Sequence, residues 1–453
     1  MTPGEDQGPT IEYSFVEDVE RPEGYCPGGY HPLALGDLLA SRYRVVHKLG
    51  YGAFSTIWLC ADEQTKKYAA VKIGIGTSDH RESEILDRLN SSSNSNLGHR
   101  GRSLIPTISD QFTLRGPNGL HPCHVTAPAG CSLKDAIEAS WKCLFQPRTA
   151  RSLIVQLIMA VDYIHSRGIV HGVKFATYLH VGNILLRLPP SALTNLSTSQ
   201  LYAKFNPPSH ELIERVDGNP LPPNVPPTAI IPIWLGKPSE DIAPHEASLL
   251  LTDFGEAYSP SMEQRLESHT PLALAPPETI FEPSQPLSFS SDIWTMGCAI
   301  WVLLGTRPLF ENFFATRYHV TTEQIDVIGP EDFPKEWWEK WDARHHLFDF
   351  EGPLPQSSDL IDPTSEQKSK PPIPKPKEGR YFSSCVDRFE KEIQEPRREA
   401  GIEEIGDEER RAIMEMLRSM LRFRPETRVT AAEVLECEWV VRWGMEDYRS
   451  ACK

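Results

Sequence analysis

The residues that could do chemistry lie far apart along the chain. Leu49-Gly50-Tyr51-Gly52-Ala53-Phe54-Ser55 sets two glycines between strand-like stretches. Glycines there let backbone amides approach a phosphate, and Phe54 can cap it from above. Lys72 ends the apolar run Ala70-Val71-Lys72-Ile73. An ammonium in that place is either a solvated edge charge or one half of an ion pair. Acids are at hand in Glu82-Ser83-Glu84-Ile85-Leu86-Asp87-Arg88-Leu89. Glu84, which leads an Ile85/Leu86/Leu89 apolar face, is the expected partner, and Glu82 is the alternative. Farther on, the apolar run Leu249-Leu250-Leu251 delivers Asp253 to solvent ahead of Phe254 and Gly255. A strand-end Asp of this kind is either a turn residue or a cation ligand. Ammonium, carboxylate and phosphate-cradling glycines together suit phosphate chemistry at a bound cation.

The elements that must carry these groups are legible in outline. Tyr43-Val45-Val46, Thr56-Ile57-Trp58-Leu59 and Tyr68-Ala69-Ala70-Val71 read as strands separated by turn residues. Residues 90–120 read as a loop and two strands. His124 to Gly130 falls where a hinge between two lobes belongs. Between Arg148 and Arg167, Leu153, Ile154, Leu157, Ile158, Val161 and Ile164 form one helical stripe, which is core. Ser291 to Leu304 is a second, strongly apolar helix. Near the end, Ile413, Leu417, Met420 and Leu421 share a helix face, and Thr430-Ala431-Ala432-Glu433 is a capping box.

Composition sets the bounds. The chain has 453 residues, 40% hydrophobic, enough for a sizeable core. Its 40 prolines gather at residues 207–238 and 352–376, which predicts loops inserted into a folded scaffold. A net charge of −16 disfavours nucleic acid and anionic membrane and suits a basic protein partner. The nine cysteines lack Cys-x-x-Cys spacing and read as reduced thiols. The first thirty residues lack a signal-peptide apolar core, and no run approaches the roughly 18 apolar residues of a membrane span. A monomer in the cytoplasm, the nucleus or both is expected.

Taken in order, these segments resemble a eukaryotic protein kinase over roughly residues 43–442. More narrowly, the chain is similar to the SR-protein kinases. That likeness rests on Tyr25-Cys26-Pro27-Gly28-Gly29-Tyr30-His31-Pro32 with Gly36-Asp37, on Lys48 to Leu59 with Ser55 in the third glycine place, and on a spacer after Asn183. The form His171-Gly172 with Leu179-His180-Val181-Gly182-Asn183 is similar to fungal members. The resemblance implies an α+β, two-lobed protein kinase fold with a small β-rich N-lobe and a larger helical C-lobe. Residues 1–42 would be an extension, 43–126 the N-lobe and 127–449 the C-lobe, with insertions at 187–247 and 311–400. It implies transfer of the ATP γ-phosphoryl group to serines of Arg/Ser-rich proteins. ATP would be held by Leu49, Gly50, Gly52, Ala53, Phe54, Ser55, Ile57, Ala70, Lys72 and Glu84, and Mg²⁺ by Asn183 and Asp253. Asp292 would accept backbone hydrogen bonds from the catalytic loop, and Glu278 would pair with Arg428.

One stretch departs from the family. Kinases space this loop His-x-Asp-x-x-x-x-Asn, whereas His171 and Asn183 stand about five residues farther apart and no Asp lies between them. Counted from His171 the base position holds Val173, and counted from Asn183 it holds Tyr178; neither takes a proton from a hydroxyl near neutral pH. Three readings follow: a weakened kinase, a pseudokinase that binds ATP or Arg/Ser-rich partners without transfer, and retained intron sequence standing where an Asp belongs.

Overall fold

A computed structural model of the chain describes residues 11–91, 98–172, 180–189, 191–267, 270–310, 316–349, 375–376 and 383–451. Val173 and Tyr178 lie outside the described residues. The contacts divide the protein into two compact units. One comprises Met1–Ser132, Ile184–Lys237 and Ser248–Gly255, the other Leu133–Asn183, Pro238–Ala247 and Glu256–Lys453.

The first unit is built on a six-stranded antiparallel sheet. Its strands are β1 (Leu38–Leu39), β2 (Tyr43–Gly52), β3 (Ser55–Asp62), β4 (Tyr68–Gly74), β5 (Asp110–Gly116) and β6 (Gly119–Thr126), in the order β1-β2-β3-β4-β6-β5. Side chains alternate across a strand, so each strand supplies both faces. Val45, Trp58, Cys60, Val71, Ile73, Cys123 and Val125 form one core with Tyr43 and Ile230. Val46 and Leu59 face the other way and are covered by Leu201, from the helix Thr198–Phe205.

That helix belongs to the Pro-rich spacer. The sequence reading places residues 187–247 in the larger lobe; in the structure most of them pack with the first unit. Ser197 caps the helix, accepting from the Gln200 amide at 3.2 Å, while the Gln200 side chain accepts from the Ser197 amide at 2.8 Å. Tyr202 donates its hydroxyl to the Val46 carbonyl at 2.8 Å. Full burial of one leucine is worth about 1.5–3 kcal/mol, and Leu193, Tyr202 and Phe205 pack beside Leu201. A short hairpin, β9 (His210–Leu212) with β10 (Thr228–Ile230), completes the spacer. The unit also holds a three-stranded antiparallel sheet in which β8 (Ile184–Arg187) lies between β7 (Ala129–Ser132) and β11 (Leu249–Leu251).

The second unit is helical. Pro147 opens the helix Pro147–Ser166, where its missing N–H costs nothing. This helix and Phe289–Leu304 are buried along most of their lengths. Trp337 and Trp341 of the second insertion are core residues. Trp337 stacks on Phe281 with ring centroids 5.1 Å apart, and Phe333, Trp341, Phe348 and Phe423 complete the cluster. Among the described residues no helix is long and apolar enough to cross a membrane.

Candidate active site

Within the first unit, Lys72 on β4 faces two carboxylates. Its Nζ lies 2.6 and 2.8 Å from the two Glu82 oxygens and 3.8 Å from Asp253 Oδ1. Burial opposes the charged ammonium, but Glu82 and then Asp253 outweigh it and raise the Lys72 pKa. Burial likewise opposes the Glu82 carboxylate, yet Lys72, with a hydrogen bond from the Phe254 amide, lowers its pKa. The pair is therefore charged across ordinary pH.

The partner corrects the sequence expectation. Glu84 is exposed, two residues along α1 (Arg81–Asn90), whose buried residues are Ser83, Leu86 and Leu89. Glu82 stands four residues before Leu86 and seven before Leu89, the i, i+4, i+7 spacing of one helix face. That spacing was available in the sequence.

Asp253 follows β11 with φ +64°, a left-handed backbone seldom adopted by a non-glycine residue. Such strain persists where the surroundings enforce it, often at functional positions. Here it brings the carboxylate to Lys72 while Phe254 is fully buried. The glycine hairpin joins β2 to β3 with Gly52 opposite Ser55 and a register shift between Lys48 and Gly50. A Cβ at Gly50 or Gly52 would meet nothing within 4 Å, so the space over their α-carbons is open. Leu49 lies on β2 and Ala53 and Phe54 form the tip, with Phe54 half exposed. Ile57 pairs with Lys72 across β3 and β4, and Ala70 is buried on β4. A cation, a carboxylate and a hairpin with open space over its glycines fit a metal-bound triphosphate.

The second unit holds the remaining positions. Asn183 ends a 3-10 turn, His180–Asn183. Asp292 accepts from the His171 amide at 2.7 Å, the Gly172 amide at 3.2 Å and His165 Nε2 at 2.9 Å. Burial pushes the Asp292 carboxyl up, but His165 and the His171 amide hold it below its ordinary value. Gly172 has φ +60°, and a Cβ there would lie 2.8 Å from the Glu256 carbonyl, so this anchor admits only glycine. Arg428 donates to both Glu278 oxygens at 2.8 and 2.6 Å, with the guanidinium side chain fully buried.

A family model described as "Protein kinase domain" matches residues 239–440. That match spans a little under half of the chain. A serine/threonine protein kinase of Aspergillus fumigatus is 28% identical over 97% of this chain and 95% of its own length. Human SRSF protein kinase 3 is 33% identical over 44% of this chain and 35% of its own. The serine/threonine-protein kinase spk-1 of Caenorhabditis elegans is 35% identical over 38% of this chain and 17% of its own. A crystal structure of a kinase domain superimposes with a TM-score of 0.55 at 19% identity, covering 91% of this chain and 98% of that one. The mixed α+β fold of this chain is thus the fold of that kinase domain.

Proposed function

We propose that the protein is an ATP- and Mg²⁺-dependent serine/threonine kinase whose substrates are Arg/Ser-rich proteins. The observation that carries the reading is Lys72 held between Glu82 and Asp253. Lys72 would donate to the phosphates with Glu82 fixing its position, and the hairpin amides of residues 50–55 would cradle them. Asp253 would hold Mg²⁺, which when bound offsets phosphate charge. The substrate class is supported by the likeness to kinases named for SRSF proteins and by a net charge of −16.

The missing base sets the expected rate. Residues 163–216 contain no Asp, so the hydroxyl proton has no carboxylate acceptor in the family's place. A general base is typically worth about 10²–10⁴-fold, and positioning and charge stabilisation supply most of the rest. A slow kinase follows. The loss of the base equally motivates the second reading, a nucleotide-binding pseudokinase. The experiment uses the full chain: Mg-ATP should raise the melting temperature, and Lys72→Ala should abolish that shift. Labelled phosphate should pass slowly to an Arg-Ser repeat peptide, and Asp253→Ala should stop it. A shift without transfer makes the protein a pseudokinase, whereas no shift at all removes nucleotide binding.

A further inference from the structure

Residues 16–30, ahead of the first long strand, belong to a folded layer. Val16, Val19, Tyr25 and Tyr30 are buried together with Ile213, Val225 and Ala229 of the spacer. This small core brings polar groups up to the glycine hairpin. Glu20 accepts hydrogen bonds from Lys48 Nζ and from the Tyr25 hydroxyl. Both charged side chains are almost wholly buried, Lys48 at 1% and Glu20 at 4% exposure. Lys48 lies two residues before Gly50. On the far side of the glycines, the Tyr30 hydroxyl donates to the Gly52 carbonyl at 2.9 Å. The spacer adds a third contact, the Ile233 amide to the Lys48 carbonyl at 2.9 Å.

The segment that delivers these groups is itself fixed. The Tyr30 amide donates to the Gly24 carbonyl at 2.9 Å, and the Gly76 and Thr77 amides donate to the Gly29 and Gly28 carbonyls at 2.9 and 3.0 Å. Asn118 and Asn224 donate to the Tyr30 and Tyr25 carbonyls, each at 2.7 Å. A Cβ on Gly29 would lie 2.0 Å from the Gly24 carbonyl, so the turn closes only with glycine there. The hairpin has its own ladder pairs, Gly50 with Ile57 and Gly52 with Ser55, and the Ile75 amide donates to the Phe54 carbonyl at 3.0 Å. Its glycines add no packing side chains, so contacts from outside the hairpin bear on its conformation. A buried ion pair adds little net stability but specifies one arrangement, because either charge left alone in that place is costly.

We propose that Glu20 and Tyr30 are positioning residues for the nucleotide, holding the glycine hairpin through Lys48 and the Gly52 carbonyl in the form that offers its amides to phosphate. This rests on the kinase reading for its ligand but on the hairpin alone for its mechanics, and the two are tested separately. In the nucleotide-free full chain, Tyr30→Phe removes one hydroxyl. Amide hydrogen exchange over residues 49–55 should quicken about 2–10-fold, the value of one ordinary hydrogen bond. Exchange over residues 110–116, on the opposite edge of the sheet, should stay as in the parent. KM for ATP should rise in the same range with kcat unchanged. Glu20→Gln should act in the same direction and more strongly; if that variant does not fold, Tyr30→Phe decides. Unchanged exchange at 49–55, or an equal rise at 110–116, overturns the restraint. Faster exchange with an unaltered KM overturns the nucleotide role. A parent protein that binds no ATP sinks the kinase reading and leaves the exchange result standing.

Discussion

Lys72 meets its carboxylates through α1, and the two candidate acids on that helix make opposite predictions. Glu82 touches the ammonium with both oxygens, whereas Glu84 is exposed. A hydrogen bond to a charged group is worth about 1.5–3 kcal/mol, so Glu82→Gln should raise KM for ATP or lower the transfer rate roughly 10–100-fold. Glu84→Gln, a surface change, should stay within about twofold. Steady-state kinetics on the two variants checks this, and equal losses would return Glu84 to the site. The residue types were legible in the sequence, since a lysine closing an apolar strand and an Asp leaving another are local patterns. The choice between two acids two positions apart is less legible, because Ile85 is apolar yet only half-buried, and counting it as core sets the helix face one position off. The contacts of Glu20 and Tyr30 have no local signal, although Tyr30 stands in the Tyr25 to Pro32 motif, since their partners Lys48 and Gly52 are more than twenty residues away.

The strands and long helices follow from period and turn chemistry, and the sheet of the first unit matches the three strand runs that flank Gly50 and Lys72. The spacer was less legible. Its prolines hide any period, although Ser197 and Gln200 do spell a capping box. What seats it is burial of Leu201 and of Ile213, Val225 and Ala229 against residues distant in sequence, which no local pattern encodes. The same layer carries a pH dependence. His31 of the N-terminal segment lies against His121 of β6, ring centroids 4.7 Å apart. Burial, then the neighbouring His121 and against the opposing pull of Asp37, pushes His31 down to about 4. On β6, burial pushes His124 down to about 4, with Lys72 adding to the effect and Glu82 and Asp87 opposing it. A depressed histidine is neutral in the fold while the unfolded chain binds a proton near 6.5. The stability these rings contribute is therefore complete above pH 6.5 and is lost as pH falls toward about 4. The melting temperature should drop across that window, and His31→Gln should flatten the drop. An unchanged slope in that variant would count against the assignment.

At the scale of the whole molecule, charge is the property that no single element owns. Acidic residues outnumber basic ones 62 to 46, giving −16 at neutral pH. Many carboxylates are already committed inside the protein, as Glu278 is to Arg428 and Glu409 to Arg151. Pairing of this kind cancels charge locally but leaves the excess, and the excess sets the long-range field. A field of this sign concentrates basic ligands near the protein and speeds their encounter, and salt screens it over about 10 Å at 0.1 M ionic strength. An Arg-Ser repeat peptide should therefore associate fast at low salt, with an on-rate that falls steeply as salt rises, while an off-rate governed by close contacts changes little. A peptide with glutamine in place of every arginine should bind weakly and show almost no salt dependence. Stopped-flow association at several salt concentrations tests this without any need for phosphoryl transfer, so it applies equally to a slow kinase and to a pseudokinase. Salt-independent association of the arginine peptide would mean that recognition is confined to short-range contacts, and the acidic excess would then serve solubility alone.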